Sequence, residues 1–123
     1  ELAGSEPVVR KVVNEGDLVL KVKNHVMSHL EGDLALPVLA DAMGVSESYL
    51  RAVFRDETGV SVGNFVRSVR LVRATHLLER QAHDLGDVAR MAGFASLTSF
   101  TRAFRRMYDL TPSAYRKRSK VEV

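Results

Sequence analysis

The sequence predicts an all-α fold in which two pairs of short helices are joined by one long helix. Three observations predict it. Apolar residues recur at three- and four-residue steps through most of the chain, glycines stop the resulting helices at intervals, and one stretch repeats itself about 50 residues later.

The opening stretch, Pro7 followed by Val8, Val9, Val12 and Val13, has apolar residues at i and i+4 but is entirely β-branched, so helix and strand both stay open there. After Asn14 and Gly16, the series Leu18, Val22, Val26, Met27 and Leu30 predicts a first amphipathic helix ending near Gly32. Pro37 then opens a short helix, where its missing N–H costs nothing, and Val38, Leu39, Ala42 and Met43 form an apolar face that stops at Gly44. Ser46 is placed as the N-cap of the next helix, which lines Leu50, Val53 and Phe54 along one side and ends at Gly59. Two short helices around a tight glycine turn are the signature of a helix-turn-helix.

Ser61 to Gln81 carries the longest helical pattern. Phe65, Val66, Val69, Val72, Leu77 and Leu78 spread over a wide arc, which suits a helix packed on both sides. Asp84 caps a helix through Val88, Ala89 and Ala92 to Gly93, and the next helix carries Phe100, Ala103, Phe104 and Met107. Thr111 caps a last short helix with Pro112 in first position and Tyr115 as its anchor.

The internal repeat decides the architecture. Ala40 and Gly44 match Ala89 and Gly93 at an offset of 49, while Leu50, Phe54, Arg55, Ser61 and Phe65 match Phe100, Phe104, Arg105, Thr111 and Tyr115 at an offset of 50. The second turn is therefore one residue longer. The chain holds two helix-turn-helix units, in which Ala40 and Ala89 let the paired helices cross closely. We place the first unit at about 34–60, the linking helix at 61–81 and the second unit at 84–118, with 1–14 a linker or the tail of a preceding domain and 119–123 a C-terminal tail. A bridging helix of about 20 residues is about 30 Å long, close to the roughly 34 Å between successive major-groove faces of B-DNA.

Composition agrees and excludes alternatives. With 123 residues, 46% of them hydrophobic, the chain forms one compact domain or two very small lobes. It has no cysteine, which removes disulfides, thiolate zinc sites and cysteine nucleophiles. No apolar run approaches a membrane span. The net charge of +3 is unevenly placed: residues 1–60 carry 6 Lys/Arg and 10 Asp/Glu, whereas residues 61–123 carry 12 Lys/Arg and 5 Asp/Glu. A basic second half points to a polyanion such as nucleic acid, though by itself it is equally a solvated face.

Specific segments then resemble the AraC/XylS (arabinose-regulator) type of DNA-binding domain over roughly residues 18–118. They run from Leu39 through Ala40, Gly44 and Ser46 to Tyr49, Leu50 and Phe54, then Glu57 to Ser61, Arg70-Leu71, Ala74 and Leu77-Leu78. The most diagnostic follow: Val88-Ala89, Gly93-Phe94, Ser99-Phe100, Phe104-Arg105, Thr111-Pro112-Ser113 and Tyr115-Arg116. Asp109 departs from the family, which most often has glycine there, but aspartate tolerates the left-handed backbone better than most residues.

The resemblance implies about seven helices, with the second helix of each unit entering the major groove. It places base contacts at Ser48, Arg51 and Ala52 in the first unit and at Leu97, Thr98, Ser99 and Arg102 in the second. Arg51 and Arg102 have the guanine-reading fork and Leu97 suits a thymine methyl. Phosphate contacts fall to Ser46, Arg55, Thr101, Arg105 and Arg106. It also implies double-stranded DNA as partner, a sensor or receiver domain upstream of Glu1, RNA polymerase as a further partner, no membrane, a cytoplasmic, nucleoid-associated setting, and activator as well as repressor roles.

Blander readings stand beside these. Leu50, Phe54, Phe100, Phe104 and Tyr115 are core by spacing. Arg70, Arg73, Arg90, Arg116, Lys117 and Arg118 fit local salt bridges as well as phosphate binding. His25 and His29 stand one helical turn apart, yet no neighbouring carboxylate or cysteine completes a metal set, so no metal and no cofactor are expected. No serine sits in a nucleophile elbow, no glycine-rich loop follows a strand, and Glu79 with Asp84 marks a helix end, so no catalytic residue and no enzyme activity are expected. The competing function is a helical protein-interaction module that has lost operator binding, favoured by Glu47, Asp56 and Glu57 around the first recognition helix.

Overall fold

In a computed structural model that describes residues 15–122, seven α-helices and no strand occur among the described residues. They are α1 Glu15–Ser28, α2 Leu36–Met43, α3 Glu47–Thr58, α4 Val62–Glu79, α5 Leu85–Met91, α6 Leu97–Tyr108 and α7 Pro112–Glu122. The stretch 1–14, including the ambiguous valine run, lies outside the described residues.

The chain divides into two compact units. Among the described residues the first comprises the chain up to His29 with Leu34–Phe65, and the second comprises Leu30–Asp33 with the chain from Val66 onward. In the first unit, α1 packs on α2 and α3, and α2 packs on α3. Leu18, Val19, Val22 and Val26 of α1 are buried, as are Leu39 and Ala40 of α2 and Leu50, Val53 and Phe54 of α3. Helix α1 ends at Ser28, a turn earlier than the spacing predicts. Leu30 is only half-buried, and its carbonyl accepts a hydrogen bond from Arg70 at 3.0 Å outside any helix. The apolar face of α2 is also narrower: Val38 and Ala42 are exposed, and Leu39 with Ala40 is what α2 buries.

In the second unit a single core unites Leu71, Ala74, Leu77 and Leu78 of α4 with Val88 and Ala89 of α5, Ala92, and Phe100 and Phe104 of α6. Phe104 holds Tyr115 edge-on at 5.6 Å and Tyr108 at 4.6 Å between ring centres. Met107 and Val72, expected on apolar faces, are exposed. Helix α7 runs to Glu122, so most of the expected tail is helical. Tyr115 donates to Glu79 Oε2 at 2.6 Å, and this carboxylate, with burial, holds the phenol above its usual pKa. Arg116 donates to the carbonyls of Leu78 and His83.

Capping follows the sequence closely. Ser46 Oγ accepts from Tyr49 N at 3.1 Å, Asp84 Oδ1 from Asp87 N at 2.8 Å and Thr111 Oγ1 from Ala114 N at 3.1 Å. Asp109 ends α6 at φ 62, and its N–H bonds to the Arg105 carbonyl, matching Gly59 at φ 81 at the end of α3. A non-glycine residue there pays about 1 kcal/mol of backbone strain, against about 0.5 kcal/mol of extra unfolded-state entropy for glycine. Asp109→Gly is therefore expected to raise stability by about 0.5 kcal/mol, read as a higher urea midpoint at unchanged slope.

Candidate nucleic-acid interface

Each unit presents the second helix of its pair outward. Ser46 and Ser96 cap α3 and α6; the Ser96 cap, which sequence reading missed, accepts from Ser99 N at 3.0 Å. Its signal was visible, since Ser96 stands 50 residues after Ser46. The turns before these caps use equivalent bonds, Val45 N to the Ala40 carbonyl at 3.0 Å and Phe94 N to the Ala89 carbonyl at 2.9 Å. Gly44 to Ser46 leaves one residue between, and Gly93 to Ser96 leaves two, which is the extra residue the repeat predicts.

In α3, Leu50, Val53 and Phe54 face the core. At about 100° per residue the opposite face is centred on Ser48 and Ala52, flanked by Arg51, Arg55 and Asp56. All five are exposed and line one shallow hollow of about 420 Å³. In α6, Phe100 and Phe104 are buried, and the opposite face is centred on Arg102, with Thr98 and Arg105 to one side and Ser99 and Arg106 to the other. Leu97 is exposed at 45%, whereas Thr101 is half-buried at the edge of this face.

The helices begin at Glu47 and Leu97, so positions correspond at 50. Arg51 thus matches Thr101, and Arg102 matches Ala52. The two leading guanine-reading candidates sit about 100° apart around their helices and are not equivalent. Asp56 likewise stands where α6 has Arg106.

Partners separate the arginines into two groups. Arg70 donates to the carbonyls of Leu30 and Gly32, Arg73 to that of Met91, and Arg116 to two carbonyls, while Arg90 pairs with Glu31 and Asp87. The side chains of Arg51, Arg55, Arg102, Arg105 and Arg106 make no hydrogen bond or ion pair among the described residues. Ser99 Oγ donates to the Ser96 carbonyl at 3.0 Å and accepts from Ser96 Oγ at 3.1 Å, whereas the Ser46 hydroxyl keeps its proton to donate.

His25 and His29 stack at 4.1 Å with His29 Nδ1 2.8 Å from the His25 carbonyl, and no group of three metal-capable side chains occurs among the described residues. No described helix is long and apolar enough to cross a membrane.

Two helix pairs, each with a glycine turn and an outward second helix, define a helix-turn-helix DNA-binding domain. A family model described as "Helix-turn-helix domain" matches residues 39–118, and the chain belongs to the AraC/XylS-type DNA-binding domains of transcription regulators. It is 37% identical to the regulatory protein SoxS of Escherichia coli K12 over 90 residues, which cover 73% of this chain and 84% of SoxS. It is 30% identical to the probable transcriptional regulator LumQ of Photobacterium leiognathi over 105 residues, 85% of this chain but 42% of LumQ. Among solved structures, the DNA-binding domain of the global transcriptional factor AdpA in complex with a target DNA superposes with a TM-score of 0.80 at 26% identity, covering 85% of this chain and 94% of that one. The C-terminal domain of AraT, a response regulator of Geobacillus stearothermophilus, gives 0.79 at 25% identity over 81% of this chain and 84% of its own.

Proposed function

We propose that the domain reads specific double-stranded DNA by inserting α3 and α6 into successive major grooves, as the output module of a bacterial regulator with a sensor or receiver domain upstream. The observation that supports this is a contrast among the arginines: Arg70, Arg73, Arg90 and Arg116 are bonded, whereas the five on the recognition helices are exposed and make no hydrogen bond or ion pair among the described residues. Five desolvated forks would destabilise the fold; five solvated ones are free to meet phosphates and base edges. The 18 residues of α4 rise about 27 Å, which suits adjacent grooves.

Arg102 is assigned to guanine, Thr98, Ser99 and Leu97 to neighbouring bases, and Ser48, Arg51 and Ala52 to bases in the other groove. Ser46, Arg55, Thr101, Arg105 and Arg106 are assigned to phosphates. The double domain is taken as residues 15–118, acting in the cytoplasm without chemistry of its own, with RNA polymerase as a further partner. The interaction-module alternative draws on Glu47, Asp56 and Glu57, three exposed carboxylates on α3.

Selection of bound sequences from random duplex DNA tests the reading. The expected result is an enriched motif in two parts about 10 base pairs apart, with affinity that falls as salt rises. Absence of any enriched sequence moves the interaction module into first place.

A further inference from the structure

We propose that Ala52, in the hollow on α3, meets the C5-methyl group of a thymine, so that the first unit makes an apolar base contact at the position where the second carries an arginine fork. The inference rests on the DNA-binding reading and adds what the first recognition helix recognises.

Two observations carry it. First, Ser48 and Ala52 are the short residues at the centre of the outward face of α3, one turn apart, and they line one hollow with Arg51, Arg55 and Asp56. The Ala52 methyl and the arginine stems supply apolar lining beside the Ser48 hydroxyl and the charged groups. Second, the corresponding positions of α6 carry Thr98 and Arg102, so the repeat places a fork in one unit where it leaves space in the other.

An apolar group of a duplex edge brought against the Ala52 methyl buries both from water. Of the groups that base pairs present in the major groove, the thymine methyl is the apolar one, and alanine is a side chain that meets it. The carboxylate of Asp56 adds direction, because it repels the O6 and N7 acceptors of guanine from the same end of the hollow.

The test uses the selected operator and the whole 123-residue chain. Each thymine is replaced in turn by deoxyuridine, which keeps the pairing edge and removes the methyl, and binding is titrated for the unsubstituted protein and for Ala52→Leu. One or two thymines are expected to lose about fourfold on replacement, the worth of one buried methyl. In Ala52→Leu, whose larger side chain takes the place assigned to the thymine methyl, uridine at those positions is expected to bind as well as thymine or better, including where the thymine operator has lost binding altogether. A uridine penalty unchanged by Ala52→Leu, no penalty at any thymine, or no recovery on uridine overturns the inference. Failure of the DNA-binding reading is a different result: the unsubstituted protein then enriches no duplex at all.

Discussion

Gly93→Ala is expected to cost about 3 to 5 kcal/mol and to unfold the second unit selectively. Gly93 sits at φ 99, in a region open essentially to glycine, and a Cβ there would lie 2.0 Å from the Leu30 carbonyl oxygen and 2.5 Å from Arg70 Nε. The oxygen is backbone held by the Arg70 guanidinium, so neither neighbour withdraws freely. Gly44, the equivalent turn residue, has φ 72 and nothing within 4 Å of an added Cβ, so Gly44→Ala pays only backbone strain, about 1 kcal/mol. Urea unfolding followed by tyrosine fluorescence separates the two, since Tyr108 and Tyr115 belong to the second unit and Tyr49 to the first. Equal losses from both substitutions would show that the Leu30–Arg70 contact contributes nothing.

Arg102→Ala is expected to weaken operator binding by about 5- to 150-fold and to relax the base preference at one position, the cost of losing a bidentate guanine contact. Arg105→Ala, one position round the same face, is expected to weaken all sequences alike and to lower the salt slope by about 1. Arg51→Ala is expected to lose less than Arg102→Ala. Helix α6 carries three arginines and no carboxylate, whereas α3 offsets two arginines with Glu47, Asp56 and Glu57. Glu47 also occupies the first turn of α3, where it competes with a phosphate for the helix N-terminus, and α6 has no acidic residue there. Comparing the three variants on operator and scrambled DNA separates base reading from phosphate binding. Equal losses from Arg51→Ala and Arg102→Ala contradict the dominance of the second unit.

Most of the fold was legible because its signals are local and occur twice. Proline at α2 and α7, the caps Ser46, Asp84 and Thr111, and the left-handed stop at Asp109 each depend on residues within one turn. What was missed depends on distant partners. Beyond the early end of α1, Arg70 reaches 40 residues back to the Leu30 carbonyl. For the site, residue type singled out Arg51 and Arg102, and the repeat offset of 50 pairs them with Thr101 and Ala52, a shift of one position that turns a side chain by about 100°. Which arginines were structural was equally hidden, because the carbonyls of Leu30, Gly32, Met91 and His83 that bind them are not adjacent in sequence to the arginines they hold.

Two-groove reading is tested most directly by inserting 5 base pairs between the half-sites of the selected operator and titrating it beside the original and an isolated half-site. Half a helical turn carries one site to the opposite face of the duplex. If α3 and α6 read successive grooves at once, the spaced operator binds no more tightly than the isolated half-site. Affinity equal to that of the original operator would contradict simultaneous reading by the two helices.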